Sequence, residues 1–155
     1  MTKNPLWFNE VSIPVLLRHA RTTYGSAMRA ALAEAGYDDI PKNGLYVIGG
    51  LALQTRVHPL SQLIEDLRLS KQAAGQLVDT LVERGYLERE VDKEDRRKLT
   101  VGLTMRGQSA AKVQAAARAK VDAKLLARVG AKDIERTRQT LAALIDIGHE
   151  LEAKP

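Results

Sequence analysis

The chain has 155 residues, a length typical of one domain or of one domain with added helices, which leaves no room for a second catalytic domain. Hydrophobic residues make up 45% of the sequence and aromatic residues only 4%, so the core must be built mainly from Leu, Val, Ile and Ala. The chain contains no cysteine, which excludes disulfides and thiolate metal sites, and it shows neither a signal pattern nor an apolar run long enough to span a bilayer. These features predict a cytoplasmic protein, and the net charge of +5 modestly favours a polyanionic partner.

Two helices are predicted in the first third of the chain. Ser12 is placed to cap a long helix that carries Pro14 in its first turn and ends at Gly36. The stretch from Asp38 to Pro41 is predicted to restart a helix, which the glycines within it weaken. The apolar residues of that second helix are Leu45, Val47, Ile48 and Leu51.

The middle of the chain predicts two helices joined by a tight turn. A short helix is expected from Ser61 to Leu67, followed by a turn at Arg68 and Leu69. Ser70 then caps a second helix that runs from Lys71 to Arg84 and is stopped by Gly85 in a left-handed conformation. The residues expected to form its buried face are Ala74, Leu77, Val78 and Leu81.

A charged hairpin and two long helices complete the chain. Strands are predicted over Tyr86 to Val91 and Leu99 to Leu103, with a polar tip between them. Thr104 caps an Ala-rich helix that extends to about Arg128, and a last helix starts between Gly130 and Asp133. The expected fold class is therefore mainly α with a small β-hairpin wing, a winged helix-turn-helix with long flanking helices.

In this motif the second helix enters the major groove of DNA, and its outward face reads the bases. Gln72 and Gln76 lie one turn apart and can pair with base edges, adenine being preferred by a glutamine amide, while Ala73 can contact a thymine methyl group. The predicted DNA-binding residues of this helix are Ser70, Lys71, Gln72, Ala73, Gly75, Gln76 and Thr80. A merely solvated polar face is the alternative, which the helix-turn-helix context disfavours.

The same region resembles the multiple-antibiotic-resistance regulator (MarR) family. The resemblance is carried by Leu69-Ser70-Lys71-Gln72-Ala73-Ala74, Leu77-Val78-Asp79 with Leu81, Glu83-Arg84-Gly85-Tyr86-Leu87-Glu88-Arg89, Asp92-Lys93-Glu94-Asp95-Arg96-Arg97 and Leu103-Thr104-Met105-Arg106-Gly107. It is close over residues 60–107, whereas the flanking helices match only in length, order and Ala-rich character. The resemblance implies a dimer with DNA-binding lobes and a helical dimer region. It predicts a single domain of residues 1–155, with a winged-helix lobe at about 40–107 and dimerisation helices at about 10–36 and 108–152.

An Asp-x-Arg pair in the wing is typical of this family and falls here on Asp95 and Arg97, with Arg96 between them. A guanidinium at a hairpin tip can enter the minor groove, where the potential is negative, and a neighbouring carboxylate can hold its side chain. A surface ion pair of little energetic value is the alternative. We predict that these three residues contact DNA.

The resemblance also implies a small, anionic or aromatic effector in a crevice beside the DNA-binding lobe. The residues predicted to bind it are Arg18, His19, Arg21, Tyr24 and Tyr46. Arginine or histidine could meet a carboxylate, and the tyrosines could form aromatic walls. Surface or dimer-interface positions are the alternative for all five.

No catalytic motif is found in the sequence, so an enzyme is not expected, nor is any cofactor. The three histidines, His19, His58 and His149, are too far apart in sequence for a local metal motif. The predicted function is a homodimeric transcriptional regulator that binds an inverted repeat in double-stranded DNA, most often a ligand-responsive repressor in this family, with no membrane partner. The alternative is a winged-helix protein-interaction or architectural module that does not read DNA sequence.

Overall fold

The fold is mainly helical, with one small antiparallel sheet. A computed structural model describes residues 6–53, 58–59, 61–62, 65 and 67–153. After a short 3-10 helix at Trp7–Glu10, the helices are α1 (Ile13–Glu34), α2 (Gly44–Ala52), α3 (Lys71–Glu83), α4 (Met105–Val129) and α5 (Ala131–Glu152), and the strands are β1 (His58–Pro59), β2 (Leu87–Val91) and β3 (Leu99–Leu103).

Helix α1 begins and ends where the sequence predicts. Ser12 is its N-cap residue, although the Ser12 side chain makes no capping hydrogen bond, and a proline occupies the first turn. Gly36 adopts a positive φ of 88°, and the amide of Tyr37 donates to the carbonyl of Leu32 at 2.7 Å. A left-handed glycine allows the chain to reverse here without steric cost.

Helix α2 starts later than predicted, at Gly44 rather than at Asp38. Proline disfavours the helical conformation of the residue before it, so Pro41 opposes a helix that runs through Ile40, and α2 forms only beyond this pair. A Cβ atom on Gly44 would lie 2.7 Å from Cγ2 of Ile40, so this glycine is required for close packing. The predicted helical residues Leu45, Val47, Ile48 and Leu51 are all buried.

The sheet has three strands in the order β1-β3-β2, all antiparallel. Strands β2 and β3 form a hairpin that pairs Leu87 with Leu103 and Val91 with Leu99. We call this hairpin, including the tip between its strands, the wing. Strand β1 was not predicted, because two residues that include a proline carry no alternating pattern. Tyr86, predicted as the first strand residue, lies just before β2 and is fully buried.

One core cluster unites the second half of α1 with α2, α3, the sheet and the start of α4. Its most deeply buried large side chains are Leu32, Val47, Ile48, Val78, Leu81, Tyr86, Leu87 and Val101. Thr104 caps α4 by accepting a hydrogen bond from the amide of Gly107 at 3.0 Å. A Cβ atom on Gly107 would lie 2.1 Å from the carbonyl oxygen of Tyr86, so only glycine lets α4 begin against the sheet.

The chain forms two compact units, residues 1–118 and 119–155. The predicted single domain covers both and stays a prediction. Helix α5 has no buried residue. Within the part of the chain that the structure describes, no helix is both long and apolar enough to cross a membrane.

The first unit is a winged helix, as predicted. Of the short helix expected at Ser61 to Leu67, residues 61, 62 and 65 are helical and Leu67 lies in a turn, while residues 63, 64 and 66 lie outside the described residues. The turn before α3 contains Arg68, which adopts a positive φ of 50°. Helix α3 and the wing follow in the order that the motif requires.

Candidate nucleic-acid interface

Helix α3 has one buried face and one polar face. The Oγ atom of Ser70 accepts a hydrogen bond from the amide of Ala73 at 3.1 Å, which confirms the predicted N-cap. Ala74, Leu77, Val78 and Leu81 are buried, as their spacing predicts. At the other end Gly85 has a φ of 78°, which confirms the left-handed stop. The helix is therefore fixed at both ends and along one side.

The predicted DNA-binding residues of α3 lie on its open side. Lys71, Gln72, Ala73 and Gln76 are exposed, while Gly75 and Thr80 are half-buried. The hydroxyl of Thr80 donates to the carbonyl of Gln76 at 2.8 Å, so its proton is already used within the helix. The Oγ atom of Ser70 is likewise occupied as an acceptor by the cap, but its proton can still be donated outward.

The tip of the wing is folded by two aspartates acting on the backbone. Asp92 accepts hydrogen bonds from the amides of Glu94 at 2.8 Å and Asp95 at 3.2 Å. These amides lower the pKa of the Asp92 carboxyl below its ordinary value. Asp95 repeats the arrangement by accepting from the amide of Arg97 at 3.1 Å. The tip is thus a pair of successive Asx turns.

Asp95 and Arg97 are brought together as the sequence predicts, but their side chains touch only loosely. The guanidinium Nε of Arg97 lies 3.8 Å from Oδ1 of Asp95, and the Arg97 side chain is 97% exposed. Arg96 is also exposed. Asp95 therefore shapes the turn through the backbone more than it holds the arginine, whose cationic end extends into solvent.

A polar cluster that sequence reasoning missed fastens α3, the wing and α4 to the loop before α2. The hydroxyl of buried Tyr86 donates to the carboxylate of Asp39, which also accepts from Arg106 at 3.2 Å. The Arg106 guanidinium lies 4.6 Å from the ring centroid of Tyr86 and 5.4 Å from that of Tyr37. The Arg84 guanidinium also donates to the carbonyl of Asp39. No local motif joins residues 47 positions apart, so the cluster could not be read from the sequence.

The pKa directions in this cluster follow from its geometry. Burial, followed by the hydrogen bond to Asp39, raises the pKa of Tyr86 to about 12. The hydrogen bond from Tyr86 lowers the pKa of Asp39; partial burial opposes this, and the charge of Arg106 adds to it. The hydrogen bond with Tyr86 raises the pKa of Arg106. The cluster therefore holds a neutral tyrosine between opposite charges at neutral pH.

A second link ties α3 directly to the wing. Arg89 on β2 donates to the carboxylate of Asp79 on α3, forming an ion pair. Both side chains are partly exposed, so the pair contributes little to stability, but it sets the position of the strand against the helix.

The effector residues predicted from the sequence are only partly brought together. A crevice of about 840 Å³ between α1 and the start of α2 is lined by Arg18, Arg21 and Tyr46. Nε of Arg21 donates to the Tyr46 hydroxyl at 2.9 Å, and the guanidinium lies 4.5 Å from the ring centroid. Among the described residues, neither His19 nor Tyr24 lines this crevice, and Tyr24 packs against the core. Arg29 and Lys42, which the sequence analysis did not select, add two further cations to its walls.

The described residues were also compared with the side-chain groupings that hold metal ions. There, no group of three or more His, Asp or Glu side chains is placed to hold a metal ion.

Known proteins with this fold include regulators solved on DNA. FabT from Streptococcus pneumoniae, in complex with DNA, is similar with a TM-score of 0.75 and 18% sequence identity, over 90% of this chain and 96% of FabT. MepR from S. aureus, also in complex with DNA, is similar with a TM-score of 0.69 and 16% identity, over 88% of this chain and 98% of MepR. A probable transcriptional regulator from Pseudomonas aeruginosa reaches 25% identity with a TM-score of 0.61, over 87% of this chain and 98% of that protein.

Comparison of the sequence with family models finds a match to the central part of the chain. Comparison with curated proteins finds no match. The MarR family model matches residues 46–98, which run from α2 through α3 to the tip of the wing. This stretch contains most of the motifs on which the resemblance was based. Residues 46–98 of the chain are thus similar to the MarR family, and the whole chain shares its fold with FabT and MepR.

Proposed function

We propose that the protein is a transcriptional regulator that reads double-stranded DNA with α3 and the wing. The observation that carries the proposal is the exposed polar face of α3, capped by Ser70 and fixed from behind by a buried face, next to a wing with an arginine tip. FabT and MepR, which share the fold, have been solved bound to DNA. A regulator of this kind acts where the DNA is, so we place it in the cytoplasm and assign it no catalytic role.

The residues of α3 divide between backbone contacts and base contacts. Gln72 and Gln76 are one helical turn apart and exposed, so each amide can pair with a base edge in the major groove. Ala73 supplies a methyl contact, and Gly75 lets the helix approach closely. Ser70 and Lys71 stand at the positive end of the helix, where phosphate oxygens are favoured.

The wing supplies a cationic tip. Arg97 is almost fully exposed and projects from a turn that Asp92 and Asp95 make rigid. A guanidinium in this position suits the narrow, negative minor groove, and Arg96 adds charge beside it. We expect the wing to contribute to affinity for many sequences and α3 to contribute to choice among them.

We propose that two chains form a homodimer through their helical regions. In residues 119–155 the large apolar side chains of α4 and α5 are open to solvent. They are Leu125, Leu126, Val129, Leu141, Leu144, Ile145, Ile147 and Leu151, with exposed fractions from 36% to 66%. Apolar surface of this extent marks an interaction site, and a two-fold dimer would set its reading helices about 34–36 Å apart on an inverted repeat.

A ligand-responsive repressor is the form of regulation that we propose. The α1–α2 crevice carries Arg18, Arg21, Arg29 and Lys42 around Tyr46, and no carboxylate is among the described residues that line it. An anionic, partly aromatic effector fits this lining. To weaken operator binding ten-fold, the effector must favour the DNA-incompatible arrangement by about 1.4 kcal/mol.

One observation favours the alternative, a protein-contact module. Val91 and Leu99 form a cross-strand pair below the wing tip and are 54% and 50% exposed, an apolar patch that DNA reading does not need. Replacing both with threonine would keep the strand and remove the patch. Loss of DNA binding in this double variant would indicate that the patch packs on the sugar-phosphate backbone, whereas intact DNA binding would leave the patch for a protein partner.

The proposal is tested by fluorescence anisotropy with the DNA that flanks the protein's own gene. We expect wild type to bind it in preference to scrambled DNA, and Arg97→Ala to weaken binding to both and to reduce the salt dependence. Arg138→Ala, which removes an exposed arginine from α5, is the matched control. Equal affinity of wild type and Arg97→Ala at physiological salt would reject the role of the wing.

A further inference from the structure

Helix α5 is open to solvent along its whole length. None of its 22 residues is buried, and only Ile134 and Gly148 are half-buried. The large apolar side chains of the helix, from Leu141 to Leu151, are 36% to 66% exposed. A helix that remains solvated is normally polar on all sides, so the apolar side chains of α5 indicate that another surface covers them.

The apolar residues of α5 lie along one narrow stripe. They recur at alternating steps of three and four residues, which is the seven-residue repeat by which two helices pack side by side. The stripe contains no charged residue and extends over almost the whole helix. We call it the α5 seam, and its members are Ile134, Thr137, Leu141, Leu144, Gly148 and Leu151.

Gly148 leaves a gap in the α5 seam that its own chain does not fill. A Cβ atom on Gly148 would meet nothing within 4 Å, so packing within the chain does not require glycine here. Glycine inside a helix is also unfavourable relative to alanine. In a pair of helices, however, such a gap receives a large side chain from the facing helix, as a knob enters a hole. The gap therefore suits a leucine of a second helix.

The charges of α5 favour an antiparallel neighbour. Residues 143–152 contain three carboxylates and no lysine or arginine, whereas residues 131–142 contain three cations and two carboxylates. A parallel pair of α5 helices would place two acidic ends side by side, and an antiparallel pair places each acidic end beside a basic one. Arg138 and Glu152 each lie seven residues from Ile145, so they face each other across the two chains if Ile145 lies near the two-fold axis. A surface ion pair of this kind sets the direction more than the affinity.

We propose that α5 packs antiparallel against α5 of a second copy of this chain, with Leu144 of each chain seated at Gly148 of the other. This pairing is one form of the homodimer proposed above and therefore rests on it. In the pair, Leu141 of one chain meets Leu151 of the other. The two copies of Leu141 are then ten residues apart along the helix axis, about 15 Å at the rise of an α-helix.

Single thiols can test which residues meet, because the chain contains no cysteine. Leu141→Cys and Leu151→Cys are mixed and treated with dibromobimane, a short bifunctional thiol reagent. The mixture should give cross-linked dimers with one chain of each variant, whereas each variant alone should give none, since its thiols lie about 15 Å apart. Cross-linking of each variant with itself would indicate a parallel pair and overturn the proposal.

Sedimentation of the same variants separates the failure of this pairing from the failure of the homodimer. If the variants dimerise but do not cross-link in the mixture, α5 covers another surface of the second copy, and the pairing is wrong while the homodimer stands. If wild type is monomeric at micromolar concentration, both are wrong.

A matched pair of leucine variants tests the gap at Gly148. Gly148→Leu should weaken dimerisation at least ten-fold, because its side chain occupies the space of the partner's Leu144. Ala143→Leu adds a leucine side chain on the opposite, exposed face of α5 and should leave the dimerisation constant unchanged. Circular dichroism of both variants checks that the helices are retained. Dimerisation of Gly148→Leu as tight as that of wild type, or tighter, would contradict the proposed contact.

Discussion

The two compact units of this protein differ in how deeply their apolar side chains are buried. In residues 1–118, the side chains of Ile48, Val78 and Leu81 are almost completely removed from solvent, and glycines stand where a Cβ atom would clash. In residues 119–155, Ile145 and Leu151 are 59% and 66% exposed, and no residue of α5 is buried. The first unit has a buried core of its own, although side chains such as Ile13, Leu53 and Met105 are exposed on it, whereas no described residue of the second unit is buried.

This difference separates stability from assembly. Burial of apolar side chains is the main favourable term in folding, so the first unit should set the free energy of unfolding. In the homodimer proposed above, the second unit should set the dimerisation constant. Substitutions of the same kind in the two units should therefore affect different measurements.

The largest effect is expected from a matched pair of leucines. Leu81→Ala, in the core, should lower the free energy of unfolding by about 2–5 kcal/mol, because it removes buried contacts and leaves a cavity. Leu144→Ala, at a side chain that is 46% exposed, should change it by under about 1 kcal/mol at concentrations where the chain is monomeric, but should weaken dimerisation. Denaturant titration and sedimentation measure the two quantities.

A large loss of stability in the isolated Leu144→Ala chain would contradict this difference between the two units. If Leu144→Ala destabilised the isolated chain as much as Leu81→Ala, its side chain would be buried within one chain and the second unit would need no partner.

A smaller effect is expected from Tyr86→Phe, which removes a hydroxyl from the polar cluster of the first unit. Loss of the hydrogen bond to Asp39 should cost about 1–2 kcal/mol at pH 7. In the wild type, the folded-state pKa of Tyr86 is raised to about 12 from 10, so its contribution is complete below pH 10 and is lost as pH rises toward 12. The stability difference between wild type and variant should therefore shrink across this window.

Denaturant titrations of both proteins at pH 8, 10, 11 and 12 check this. The lysines and the remaining tyrosines titrate in both proteins, so their effects on the free energy of unfolding cancel in the difference. A constant difference from pH 8 to 12 would show that Tyr86 ionises in the folded protein as it does in water.

The smallest effect on stability is expected from replacing two half-buried helix glycines of the first unit that have open space beside them. A Cβ atom on Gly75 of α3 or on Gly25 of α1 would meet nothing within 4 Å, so each alanine variant should stabilise the protein by about 0.5–1 kcal/mol. Only Gly75→Ala should weaken DNA binding, since the methyl group would stand on the reading face. Thermal unfolding and DNA titration of both variants separate the effects, and equal DNA affinity would show that α3 does not approach DNA closely at Gly75.

Much of the fold could be predicted because its signals are local. The spacing of Ala74, Leu77, Val78 and Leu81 gave the buried face of α3, and the caps at Ser70 and Thr104 gave two helix starts. The start of α2 was predicted too early because the effect of Pro41 on Ile40 was overlooked. Strand β1 has only two residues and depends on a pairing with β3 far along the chain.

The candidate site was predictable to the extent that it follows from one helix and one hairpin. The exposure of Gln72 and Gln76 and the pairing of Asp95 with Arg97 are short-range features. The Asp39–Tyr86–Arg106 cluster and the hydrogen bond from Nε2 of Gln114 to the carbonyl of Leu45 arise from contacts between distant segments. Those depend on tertiary packing, which periodicity does not reveal.

The proposed reading of bases by α3 is measured most directly by the affinity of Gln76→Ala for operators substituted one base pair at a time. A wild-type dimer should lose about 1–3 kcal/mol at each contacted position, and Gln76→Ala should lose this discrimination at particular symmetric positions only. Gln139→Ala, on exposed α5, should behave as wild type. A Gln76→Ala profile identical to that of wild type at every position would contradict the account.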